Sequence, residues 1–124
     1  MTPGLTVQDT ADKTGLTAHT LRYYERVGLI WDVARDSAGH RRYTTGQIDW
    51  LVMLTRLRAT GMPIAGMLRY AELVKSGRAD AERLELLRHH RVALAARVAE
   101  LTADLALIDN KIAVYERRVS EESA

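Results

Sequence analysis

Residues 6–28 read TVQDTADKTGLTAHTLRYYERVG, and this run decides the fold. Thr6 suits the N-cap of a helix over Val7–Lys13, because a threonine hydroxyl accepts from an otherwise unpaired backbone N–H of the first turn. Thr14-Gly15-Leu16 reads as the stop, with a glycine able to take the left-handed conformation that closes helices. Thr17 then caps a second helix from Ala18 to Val27, ended by Gly28. Two helices joined through a three-residue turn containing glycine make a helix-turn-helix pattern. Val7, Ala11, Leu16, Leu21 and Tyr24 are expected to share its core, leaving His19, Thr20, Arg22, Tyr23 and Arg26 at the surface.

Beyond the second helix, residues 30–43 (IWDVARDSAGHRRY) hold two short extended segments around a polar turn containing Gly39, which predicts a small β-hairpin, or wing. Thr44 or Thr45 caps a third helix through Arg58, stopped at Thr60-Gly61, with an apolar face of Ile48, Leu51, Val52, Leu54 and Leu57. Pro63 is expected at the first position of a fourth helix that carries Ile64, Met67, Leu68, Ala71, Leu73 and Val74 to Ser76-Gly77. All eight glycines fall before residue 78, and the rest of the chain has neither Gly nor Pro. That rest reads as one long helix. Leu84, Leu87, Arg91, Leu94, Val98, Leu101, Leu105, Ile108, Ile112, Tyr115 and Val119 follow three- and four-residue steps without a slip, a coiled-coil seam with one misfit. Arg91 either pairs across a dimer, snorkels, or yields its place to Val92. A helix of roughly 40 residues, about 60 Å long, cannot bury such a seam against a small head, so a second copy is expected.

The chain has 124 residues and a net charge of +2, with ten Lys+Arg against seven Asp+Glu in residues 1–77 and eight against nine afterwards. The positive charge therefore lies in the head. Its cations are fifteen Arg and three Lys, a composition suited to phosphate recognition. With no cysteine, disulfides, iron–sulfur clusters and thiolate metal sites are excluded within this chain. Neither a membrane span nor a secretory signal is legible, so a cytoplasmic location is expected. No phosphate-cradling glycine loop and no nucleophile–base spacing occurs, and an enzyme is not expected. The fold class read from these features is mostly α: a winged helix-turn-helix head (1–77), a dimerising helix (78–119) and a short tail (120–124).

On the second helix, Thr20, Arg22 and Tyr23 stand where base edges and phosphates are contacted, and arginine can bond guanine bidentately. The alternative is that both tyrosines are core rings and Arg22 pairs with Glu25, three residues on. Gly39-His40-Arg41-Arg42-Tyr43 suits phosphate contact, although basic hairpins are also common as solvated edges. The ordered set LRYYERVGLI (21–30), GHRRY (39–43), LRATG (57–61) and MPIAGMLRYAELVKSG (62–77) resembles the MerR family of transcription regulators. That resemblance covers roughly residues 5–77, and the long helix that follows agrees in position.

The resemblance implies a homodimer whose long helices pair antiparallel through Leu84, Leu87, Leu94, Val98, Leu101, Leu105, Ile108, Ile112 and Tyr115. It implies binding to a palindromic promoter operator, bending and untwisting of the DNA, and RNA polymerase as the partner at the promoter. By position it makes Thr17, His19, Thr20, Arg22 and Tyr23 recognition-helix contacts and Arg41, Arg42 and Tyr43 wing contacts. His40 departs from the tyrosine frequent there. Members that sense metals or redox state use cysteines, which this chain lacks, and with five residues after Val119 no effector domain is expected to follow the long helix. His89 and His90 point about 100° apart on a helix and cannot converge on one ion with Glu82 or Glu85. No metal or cofactor is expected, and the effector is unknown. Trp50, Met53, Met62, Met67, Tyr70 and Leu86 read as ordinary core rather than an effector pocket. A steric repressor that leaves DNA straight, or a coiled-coil interaction module, are the alternative functions.

Overall fold

The computed structural model describes residues 4–123; residues 1–3 of the expected head and Ala124 of the expected tail lie outside them. Five helices and one two-stranded antiparallel sheet follow in the order α1 (Val7–Thr14), α2 (Ala18–Val27), β1 (Ala34–Arg35), β2 (Arg41–Arg42), α3 (Thr45–Ala59), α4 (Ile64–Lys75) and α5 (Asp80–Ser123). The chain divides into a compact unit ending at Leu86 and a second unit from Leu87 onward. Among the described residues no helix is long and apolar enough to cross a membrane.

In the first unit α1 packs on α2 and α3, and α3 packs on α4. Thr6 and Thr17 cap the first two helices, accepting from Asp9 N and Thr20 N, while Gly15 and Gly28 close them at φ of 76° and 90°. Side chains other than glycine are disfavoured at such angles, so these two residues fix where the helices end. Leu21, Tyr24, Leu29, Ile30, Leu51, Leu54 and Met67 form much of the core. On α1, however, Thr10 and Thr14 are the buried residues, while Val7, Ala11 and, in the turn after the helix, Leu16 are half-buried. The two hydroxyls donate to the carbonyls of Thr6 and Thr10 at 2.8 and 2.7 Å, so burial leaves neither unpaired.

Thr44, not Thr45, caps α3. Its hydroxyl accepts from Gln47 N while the Gln47 carboxamide oxygen accepts from Thr44 N, a reciprocal capping box. The same carboxamide donates to the carbonyls of Trp31 and Asp32, tying α3 to the segment before the wing. The buried face of α3 is Ile48, Leu51, Leu54 and Leu57; Val52, placed on that face from sequence, is 38% exposed because it stands about 100° around the helix from Leu51. Pro63 also differs from expectation: its extended ψ of 155° puts it one step earlier, as the N-cap of α4. Its carbonyl accepts from Met67 N, the first bond of the helix. Trp50 stacks on Tyr70 at 5.4 Å and meets Trp31 edge-on at 5.6 Å; these three rings are half-buried, whereas Met62 and Met67 belong to the core.

Helix α5 starts at Asp80 after Ala79, a non-glycine residue at φ 69°, and Arg69 of α4 pairs with Glu82 in its first turn at 2.9 Å. It runs through residue 123. In the single chain Leu84, Val98, Leu101, Leu105, Ile108, Ile112, Tyr115 and Val119 are each 49–62% exposed, while Leu87 and Leu94 are half-buried.

Candidate nucleic-acid interface

Helix α2 presents His19, Arg22, Tyr23 and Arg26 at i, i+3, i+4 and i+7 spacing, hence on one side. His19, Arg22 and Arg26 are exposed and Tyr23 is half-buried. The Arg26 guanidinium lies 5.4 Å from the Tyr23 ring centroid, and the Tyr23 ring tilts against Tyr24 at 6.2 Å. This divides the two adjacent tyrosines: Tyr24 is core, with its hydroxyl pKa pushed up by burial against the opposing charge of Arg58, and Tyr23 is the ring at the surface. The Thr17 hydroxyl is occupied in the cap and donates to Thr20 Oγ1 at 3.0 Å, so its hydrogen-bonding is largely internal.

Arg22 takes part in no ion pair among the described residues. Glu25, the partner that helix spacing offers it, is bound instead by Arg41 of β2, whose Nε donates to Oε1 at 2.6 Å. This contact joins the second helix to the wing across sixteen residues of sequence.

The wing is built around Asp36. Its carboxylate accepts from the backbone N–H of His40 and Ala38, at 2.9 and 3.0 Å, and from Arg42 Nε at 3.3 Å. These donors, the His40 N–H foremost, hold the carboxyl pKa below the usual carboxylate value. Backbone bonds between Asp36 and His40 and between Gly39 and Asp36 close the turn, and Arg35 Nη1 donates to the Gly39 carbonyl at 3.0 Å. The result aligns Ala34 with Arg42 and Arg35 with Arg41.

Tyr43 corrects the sequence reading. Its ring is fully buried, its hydroxyl pKa is raised by that burial, and its backbone exchanges two hydrogen bonds with Leu5. The ring anchors the base of the wing and does not reach its surface. Arg41 and Arg42 are half-buried and each engaged by a carboxylate, rather than free cations. Arg35 and Arg58 are exposed cations the sequence reading did not single out. Arg35 lies inside the predicted wing and was open to inclusion; nothing in the local pattern around Arg58 placed it beside Tyr24.

Among the described residues no group of three or more His, Cys, Asp or Glu side chains comes together in a way that would hold a metal ion. A cleft of about 350 Å³ is lined by Trp31, Asp32, Gln47, Trp50 and Val74 among others, and Lys75 Nζ lies 4.8 Å from the Trp31 ring centroid.

Residues 5–72 match the family described as MerR HTH family regulatory protein. An HTH-type transcriptional regulator of Haemophilus influenzae is 36% identical over 113 residues, which cover 90% of this chain and 84% of that one. A MerR family transcriptional regulator from Listeria monocytogenes has a similar structure, with a TM-score of 0.82 at 32% identity over 91% of this chain and 86% of the other. HiNmlR, a MerR family regulator lacking the sensor domain and crystallised bound to promoter DNA, gives a TM-score of 0.81 at 35% identity over 93% and 92%.

Proposed function

The chain belongs to the MerR family of helix-turn-helix transcription regulators, and on that premise we propose that it binds a palindromic promoter operator as a homodimer and bends and untwists the DNA between the half-sites. The observation that carries this reading is the exposed side of α2, with Arg22 in no ion pair among the described residues, next to a wing fastened to the same helix by Arg41 and Glu25. Arg22, His19, Thr20 and Tyr23 enter the major groove, with Thr17 at the helix start. Arg41 and Arg42 face phosphates, and Tyr43 supports them from beneath. The likeness to HiNmlR, which was crystallised on promoter DNA, supports the same assignment.

Residues 1–77 act as the DNA-binding head and 78–119 as the dimerising segment. The exposed seam of α5 supports a second copy as its cover, pairing antiparallel through the residues from Leu84 to Tyr115. A two-fold dimer places its two recognition helices one DNA turn apart, which is why the operator is a palindrome. The remodelled promoter is then read by RNA polymerase.

The test is gel mobility of the full chain on circularly permuted fragments that carry a duplex selected from a random-sequence pool. Position-dependent mobility around a palindrome supports remodelling. Uniform mobility identifies a steric repressor, and failure to select any duplex identifies an interaction module.

A further inference from the structure

Both arginines of β2 are held in the same way. Arg41 donates from Nε to Glu25 at 2.6 Å, and Arg42 donates from Nε to Asp36 at 3.3 Å. A carboxylate on the Nε edge occupies at most two of the five guanidinium N–H groups, so the far terminal nitrogen keeps both of its hydrogens. The acids are themselves fixed. Glu25 sits on a capped helix two residues before its last, and Asp36 is clamped by two backbone N–H groups of the turn.

We propose that Glu25 and Asp36 are positioning residues for DNA phosphate: each grips an arginine by its inner edge and holds the outer edge ready for the backbone. The proposal rests on the DNA-binding reading given above. An unrestrained arginine loses rotamer freedom when it docks on a phosphate, and one already held against a carboxylate loses less. Each acid also cancels part of the cation's charge, an effect of opposite sign. The attachment through Nε favours positioning, because an acid that withheld the arginine from DNA would cover its terminal nitrogens instead.

The experiment uses the full chain and two probes: a duplex selected by the wild-type chain from a random-sequence pool, and a scrambled duplex of equal length. Dissociation constants are measured for wild type, Glu25→Ala, Glu25→Gln, Arg41→Ala and the Glu25→Ala/Arg41→Ala double variant, with circular dichroism confirming helix content. Positioning predicts that Glu25→Ala weakens binding to both duplexes by about three- to tenfold. It predicts that Glu25→Gln, which keeps an oxygen for Arg41 Nε, recovers most of that loss. The double variant then binds within about twofold of Arg41→Ala alone, because Glu25 has nothing left to position. A merely structural role for Glu25 instead carries over into the Arg41→Ala background and the losses add, which overturns the proposal. Tighter binding by Glu25→Ala overturns it too, since Glu25 then withholds a cation. If the wild-type chain selects no duplex, the DNA-binding reading itself has failed and the proposal falls with it.

Discussion

The indole N–H of Trp50, on α3, donates to the carbonyl of Leu29 at 2.7 Å, and Leu29 N donates in turn to the Tyr24 carbonyl at 2.8 Å. The C-terminal end of α2 is thereby fastened to α3 just past its glycine cap. Trp50→Phe keeps an aromatic ring against Tyr70 but leaves the Leu29 carbonyl without its donor. The expected cost is about 1–2 kcal/mol of unfolding free energy, read as a lower urea midpoint with an unchanged slope. An unchanged midpoint would show that the bond contributes nothing net to the head.

Arg22 and Arg41 are predicted to fail in different ways. With Arg22 in the proposed base-contacting role, Arg22→Ala should lower discrimination between the selected and scrambled duplexes by about 1–3 kcal/mol. With Arg41 in the proposed phosphate-contacting role, Arg41→Ala should weaken both duplexes alike and lower the slope of log affinity against log salt by about one. Equal effects of both substitutions on both duplexes would contradict this division of labour.

The difference between these two arginines was only half legible in the sequence. The caps at Thr6 and Thr17, the glycine stops and the uninterrupted length of α5 are local signals, set by hydroxyls, backbone angles and the absence of Gly and Pro within one helix, and these are found where expected. The partner of Glu25 is a tertiary fact. Helix spacing offered Arg22, whereas the folded chain brings Arg41 from sixteen residues away. Thr10 and Thr14 were not among the expected core residues; their own helix carbonyls satisfy their hydroxyls and allow burial. Tyr43 was read with its basic neighbours as a surface residue, but strand alternation and its bridge to Leu5 turn the ring inward.

The α5 seam predicts a dimer that persists at micromolar concentration. Sedimentation equilibrium should return twice the mass of 13.9 kDa. Leu101→Ala, at the middle of the seam, should cost about 2 kcal/mol or more per substituted side chain and raise the dimer dissociation constant at least tenfold. A folded wild-type monomer at that concentration would contradict the seam's assignment.

The wing carries a pH dependence of defined sign. Asp36 accepts from the His40 and Ala38 backbone N–H groups and from Arg42, so the folded chain favours its ionised form and its pKa lies below the unfolded value. Its contribution is complete above the unfolded carboxylate value, about 3.9, and is lost as pH falls through the lower folded value. Carboxyl-carbon NMR should place the Asp36 midpoint below about 3.9, with the His40 and Ala38 amide shifts moving in step. A midpoint at or above that value would mean the turn does not hold the ionised carboxylate.

Sequence-specific DNA binding through α2 is read from the ratio of two dissociation constants. The full chain is titrated, at about 0.15 M salt, with a duplex it selected from a random-sequence pool and with the scrambled duplex. The expected result is a preference of about a thousandfold or more for the selected duplex, the lower end of the range for specific DNA-binding proteins. Equal affinity for the two duplexes would contradict it.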